Sequence, residues 1–290
     1  MRCRGRDDSI GRVETLARFG PQIDALEAFT RDRAVLLDLV RGLDADEWDR
    51  PTAAAPWRVR DVVAHMIGDD LNRLSRTRDG HSGPGPRAGE ALTSFVHRIN
   101  DEWVQVTQRT SPRVLTDLLA LTSPQVLAMW GGLDPGVLTK AVSWAGPDPA
   151  PVWLDLARDF TEYWVHQQQI RDAIGRPDPG DPAVVHTVLD TFLRAVPHTL
   201  SAHPRPDGET LDITVDGAAG GRWTWRCDGQ RWRWAQNPGT PGTLLAFPGP
   251  EPLWRLCVRM VEPAEARRSV TVSGDEALAA AAMQIVSIIR

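Results

Sequence analysis

The chain has 290 residues, of which 42% are hydrophobic and 24% charged, and a net charge of −5. That profile belongs to a globular protein with room for two domains and argues against nucleic acid as the main partner, whose binding face would need a basic excess. No run approaches the roughly 18 apolar residues of a membrane-spanning helix, so a membrane is not expected either.

Residues 1–20 begin Met1-Arg2-Cys3-Arg4, carry no apolar stretch of the signal-peptide kind, and read as a disordered leader. A long amphipathic helix is expected over 21–43, where Ile23, Leu26, Phe29, Val35, Leu36, Leu37 and Val40 recur mostly at three- and four-residue intervals. A second helix is expected over 59–74, then a Gly/Pro-rich loop over 78–89, then a third helix marked by Phe95, Ile99, Trp103 and Val106. Residues 112–129 read as a helix interrupted at Pro124, and 130–151, with four prolines from Pro135 to Pro151, as an irregular connection. The fourth major helix spans 153–174 and is stopped by Gly175 and Pro177.

After the linker 178–182 the periodicity changes. One helix over 183–201 precedes short alternating runs at 211–215, 223–227 and 232–234, separated by Asp216-Gly217 and Asp228-Gly229, dipeptides of hairpin turns. A helix over 252–260, a strand over 269–272 and a helix over 275–289 complete the chain. The fold class expected is α+β: a helical bundle over 21–177 and a smaller α+β domain over 183–290. Alternation places Trp223 and Trp225 on one strand face, which is expected to pack inward.

Glu162 and His166, one helical turn apart, project from one helix face and can offer two ligands to one divalent metal. Alone, such a pair is more often a solvated one. The third candidate is His65, on the flank of the stripe formed by Val59, Val62, Val63 and Met66, where a side chain points along a seam between packed helices. Two imidazoles and one carboxylate make a site suited to zinc, with one position left open. Asp69, one turn from His65, can orient a ligand, join the site, or be merely solvated. Arg255 and Arg259 are spaced as a surface pair on one helix face, or as an anion grip. Cys3, Cys227 and Cys257 show no paired spacing, which fits a reducing, cytoplasmic setting and buried inert thiols. Lys140, the only lysine among 33 basic residues, argues against Schiff-base chemistry.

The run Trp57–Ile67, the helix motif Glu162-x-x-x-His166-x-x-x-Ile170-Arg171 followed by Gly175, and the tail around Trp254 to Asp275 together resemble the mycothiol-dependent maleylpyruvate isomerase family over roughly residues 20–290. The resemblance implies a DinB-like metal-binding four-helix bundle joined to a smaller C-terminal domain, with His65, Glu162 and His166 as the metal ligands. An arginine of the C-terminal domain is implied near the active site, for which Arg255 and Arg259 are the candidates. It also implies mycothiol as thiol cosubstrate, a small electrophilic substrate that is isomerised or takes up the thiol, and an actinobacterial setting, which the arginine bias suits. A cytoplasmic monomer or weak homodimer is expected. Two other functions stay open: a metal-dependent hydrolase, and a non-catalytic DinB-like metal-binding or regulatory protein. Two departures stand out. Arg58 occupies a position where the family has a helix-capping hydroxyl, so that helix must be capped otherwise. Gln169 replaces the family's Asp beside Ile170-Arg171.

Overall fold

The computed structural model describes residues 18–229, 231–235 and 242–288; most of the expected leader, with Cys3, lies outside them. The fold is mixed helix and sheet, with a helical N-terminal region and a sheet in the C-terminal part. The chain forms two compact units. Of the described residues, one is built from Leu26–Leu133 with Glu162–Pro179, the other from Asp134–Thr161 and those after Pro179, with 18–25.

The first unit is helical. Helices α1 (Ala25–Arg41), α2 (Val59–Arg73), α3 (Leu92–Thr107) and α4 (Pro112–Gly131) are joined by the last turns of α5 (Val152–Ile174). Its core contains Phe29 and Leu36 of α1, Val59, Val62, Val63, Met66 and Ile67 of α2, and Leu115, Leu119 and Val126 of α4, all buried. Helix α4 runs without a break through Pro124, correcting the expected interruption. A mid-helix proline costs roughly 3 kcal/mol, and burying four or five large apolar side chains at about 2 kcal/mol each outweighs it.

Helix α2 carries His65, and its start shows how the missing hydroxyl is replaced. The Arg58 guanidinium has no acceptor to offer; instead the Asp61 carboxylate reaches back to the Arg58 backbone N–H at 2.9 Å, which is the second half of a capping box. Asp61 also accepts from Gln108 Nε2 at 2.6 Å, fixing α2 to the end of α3. Further along, Gly68 lets Trp103 lie directly on α2: a Cβ there would meet the indole at 2.6 Å. The same indole donates to the Ala64 carbonyl at 2.7 Å. Helix α2 is thus pinned one residue before His65 and three after it.

The second unit holds a five-stranded sheet of β3 (Thr210–Val215), β4 (Gly221–Asp228), β5 (Arg231–Trp234), β6 (Thr243–Phe247) and β7 (Thr271–Ser273), in the order β5-β4-β3-β6-β7. Strand β6 runs parallel to β3 and the other pairings are antiparallel. Strand β6 was not expected from the sequence, yet it lies inside the sheet with Thr243, Leu245 and Phe247 buried. Trp223 and Trp225 are buried as their alternation implied, and Trp223 donates to Asp190 at 2.9 Å.

The connection over 130–151 is more ordered than expected: β1 (Leu138–Ala141) and β2 (Pro149–Pro151) pair as a separate two-stranded sheet. The helix expected over 183–201 is divided. Helix α6 (Pro182–Phe192) gives way to a 3₁₀ turn, and Pro197, which cannot donate to the preceding turn, opens the short α7 (Val196–Thr199). Helix α8 (Pro250–Cys257) is followed by α9 (Pro263–Ala266) and α10 (Glu276–Ala282), the last shorter than expected.

Candidate metal centre

Within the helical unit, α2 and α5 bring His65, Glu162 and His166 together, one ligand atom from each lying within 4.8 Å of the other two. His65 Nε2 is 3.8 Å from Glu162 Oε1, and His166 Nε2 is 3.4 Å from the same oxygen. The imidazole rings meet edge to face, with centroids 4.8 Å apart. Ligands at about 2.0–2.2 Å around a tetrahedral ion are spaced by about 3.3–3.6 Å, so one ion can be shared after shifts of well under the size of a rotamer change.

The donor set has the protonation such an ion needs. His166 Nδ1 is 2.8 Å from Gln169 Oε1. An amide oxygen only accepts, so Nδ1 is the nitrogen that donates, and in the neutral ring Nε2 is the one that holds the lone pair. That Nε2 is buried and has no hydrogen-bond partner. A buried acceptor without a donor costs about 1–3 kcal/mol, a cost that a bound cation removes. At Glu162, burial favours the neutral acid, but His166 and His65 more than reverse this and hold the carboxyl well below the ordinary range. At His65, burial disfavours a charged ring, yet Asp69 and Glu162 outweigh it and raise its pKa.

Gln169 is the functional neighbour that sequence reasoning missed: the substitution was visible, but not its contact with His166. Trp57, at the entry to α2, forms a wall with its ring centroid 4.8 Å from that of His65. Asp69 Oδ2 stands 3.4 Å from His65 Nε2.

One residue further along each helix, the polar chemistry is of another kind. Asp70 is fully buried and accepts from Tyr163 Oη at 2.6 Å, from Thr122 Oγ1 at 2.5 Å and from both terminal nitrogens of Arg33. The Arg33 guanidinium also lies over the Tyr163 ring, 3.8 Å from its centroid, and donates to Ser123. Helices α1, α2, α4 and α5 are tied together at this point, adjacent in sequence to the Glu162 ligand and to Asp69.

In the other unit, Arg255 donates to Glu251 at 2.8 Å and lies over the Trp254 ring. Arg259 does not share its helix face, because α8 ends at Cys257. Arg259 instead adopts the left-handed conformation (φ 56°) of a helix C-terminal cap, with Met260 N–H bonded to the Arg255 carbonyl and Arg259 N–H to that of Leu256. Its guanidinium donates to the carbonyls of Met283 and Gln284. Cys257 is buried and its thiol is pushed up to about 12, burial outweighing Ser287 and Arg259. Cys227 is buried too, and donates to the Arg205 carbonyl at 3.0 Å. Neither thiol has the character of a nucleophile.

A helical unit carrying a convergent His–Glu–His set, joined to a mixed sheet unit, is the class of protein this chain represents. Residues 29–171 match the mycothiol maleylpyruvate isomerase N-terminal domain. Through this domain the chain belongs to the mycothiol-dependent maleylpyruvate isomerase family. It is similar in fold to the crystal structure of the mycothiol-dependent maleylpyruvate isomerase, at 12% identity and a TM-score of 0.54, over 86% of this chain and 92% of that one. A mutant of that isomerase aligns likewise, at 11% identity and a TM-score of 0.53, with the same coverage. Uncharacterised proteins of Mycobacterium tuberculosis, strains CDC 1551 / Oshkosh and H37Rv, are 24% identical over 210 residues, covering 71% of this chain and 77% of theirs. No helix among the described residues is long and apolar enough to cross a membrane.

Proposed function

We propose that this protein is a cytoplasmic metal-dependent enzyme that uses mycothiol to isomerise, or to transfer the thiol to, a small electrophilic substrate. The observation that carries the proposal is the His65–Glu162–His166 convergence, with His166 Nε2 buried and unbonded. His65, Glu162 and His166 would hold the ion, and two nitrogens with one carboxylate oxygen suit zinc. The ion would supply the positive charge that draws a thiol's pKa down from about 8.5, making a thiolate available at neutral pH. The chain's residues would do the rest: Glu162 offsets part of the metal charge, Gln169 fixes the His166 ring, and Trp57 narrows the approach beside His65. The buried state of Cys227 and Cys257 supports a thiol that comes from solution. Arg255 or Arg259 is proposed to contact an anionic group of substrate or cosubstrate, and this part is tested by their alanine variants with metal content as the control.

The deciding experiment loads the full chain with Zn²⁺ and screens small unsaturated acids, maleylpyruvate among them, with and without mycothiol. Turnover that needs both ion and thiol, and is lost with the ion in His166→Ala, is the expected result. Turnover that proceeds without thiol would replace this reading with a metal-dependent hydrolase. Failure to take up any divalent ion would defeat the enzyme reading altogether.

A further inference from the structure

The seam between α2 and α5 holds a second carboxylate, and it faces the nitrogen that the ion needs. Asp69 Oδ2 lies 3.4 Å from His65 Nε2, inside the spacing of about 3.3–3.6 Å expected between two ligands of one tetrahedral ion. The approach is fixed by the fold. Asp69 follows His65 by one helical turn, and its backbone is anchored by the next residue, Asp70, through four hydrogen bonds. Its side chain is 30% exposed.

We propose that Asp69 is a displaceable fourth ligand: its carboxylate closes the coordination in the thiol-free protein and yields the position to the incoming thiol. This deepens the reading of the triad as a metal site and depends on it. Charge decides which ligand leaves. Two neutral imidazoles with two carboxylates balance a dication, and an added thiolate would leave one uncompensated negative charge in a largely buried site. Release of one carboxylate restores the balance. Glu162 lies within 4 Å of both His65 and His166, whereas Asp69 is brought that close to His65. In the exchange, the bond from Asp69 oxygen to the ion breaks, a bond from sulfur forms, and the S–H proton passes to the freed Asp69 carboxylate. No redox partner is needed. The arrangement would also deny the fourth position to water when mycothiol is absent, which separates a thiol-dependent enzyme from a hydrolase on the same scaffold.

The test compares the full-length wild-type chain with Asp69→Asn, Asp69→Glu and His166→Ala. Zn²⁺ affinity is measured by competition with a chromophoric chelator, and the visible spectrum of the Co²⁺ form is recorded before and after mycothiol. Asp69→Asn should bind Zn²⁺ about 10–100-fold more weakly, in the range seen when groups around a metal site are altered. Its thiol-free Co²⁺ spectrum should differ from wild type, and the two should converge once mycothiol adds its sulfur-to-cobalt band. Asp69→Glu, which keeps the carboxylate, should recover part of the affinity. Circular dichroism of the metal-free variants checks that they fold. Equal Zn²⁺ affinity and identical thiol-free spectra in wild type and Asp69→Asn would overturn the proposal, as would spectra that stay different after mycothiol binds. Failure of the metal reading itself has another signature: no ion uptake by wild type, or uptake that His166→Ala does not change.

Discussion

Two polar clusters occupy neighbouring positions on the same pair of helices, and they are built on opposite principles. Around Asp70, four donors from Arg33, Thr122 and Tyr163 meet one carboxylate, and no water or ion is needed to complete its bonding. Around Glu162, two imidazole nitrogens point at one oxygen from 3.4 and 3.8 Å, and His166 Nε2 has no hydrogen bond at all. The first arrangement holds helices in register. The second gathers three ligand atoms within 4.8 Å of one another and leaves a buried imidazole nitrogen unbonded, an arrangement suited to a cation. A carboxylate with its bonds made beside a buried imidazole nitrogen with none is how a bundle fixes ligand positions without closing the ligand site.

That contrast is broken most severely at Asp70. Replacing it by Ala leaves the Arg33 cation buried without its carboxylate, for which a loss of about 3–5 kcal/mol is expected. Chemical denaturation of metal-free protein measures it. His166→Ala should do the reverse: little change in metal-free stability, with Zn²⁺ binding lost. A destabilisation of metal-free His166→Ala equal to that of Asp70→Ala would mean that both clusters are structural and that the distinction drawn here is wrong.

A smaller effect is expected one step out from the ligands. Gln169→Leu keeps the bulk of the side chain but removes the acceptor for His166 Nδ1, so the ring can rotate or change tautomer. Zn²⁺ affinity should fall by about 10–100-fold while metal-free stability stays within about 1 kcal/mol of wild type. Gln169→Asp, which offers a charged acceptor at the same place, should preserve binding. If Leu and Asp at this position bind Zn²⁺ equally well, the Gln169 contact does not orient the ligand.

What could be read from the sequence follows the range of the interactions. The amphipathic stripes of α1, α2 and α3, the Gly175 and Pro177 stop of α5, the Asp-Gly turns and the Glu162/His166 spacing are local signals, and the elements they mark form near the expected positions. His65 was found because its flank position on α2 relates it to a helix seam. The Asp70 cluster was not found, since Arg33, Asp70, Thr122 and Tyr163 come from four helices and none is conspicuous alone. Strand β6 was missed for a related reason. Its five residues stand in a Pro/Gly-rich stretch, and its only strong support is pairing with β3 and β7, distant in sequence. Gln169 was noticed as a departure from a pattern, but its role required knowing which way the His166 ring faces.

The smallest effect concerns how α2 begins. The sequence places Arg58 where a capping hydroxyl would be, and Asp61 supplies the cap from three residues inside the helix. Because Asp61 also receives Gln108 Nε2, its loss would free both the first turn of α2 and the tie to α3. Asp61→Ala should cost about 1 kcal/mol of stability, the usual worth of a helix cap. Asp61→Asn should recover only part, because its amide oxygen can accept one bond well but no longer carries the charge favoured at a helix N-terminus. Restoring the hydroxyl with Arg58→Thr in the Asp61→Ala background would give the first turn its cap from the other half of the box, and stability should return without the Gln108 bond. Failure of that rescue would assign the stabilisation to the α2–α3 tie, not to the cap. In either case the Zn²⁺ affinity at His65, a full turn and more from the cap, should change by less than about threefold, since separated sites are close to additive.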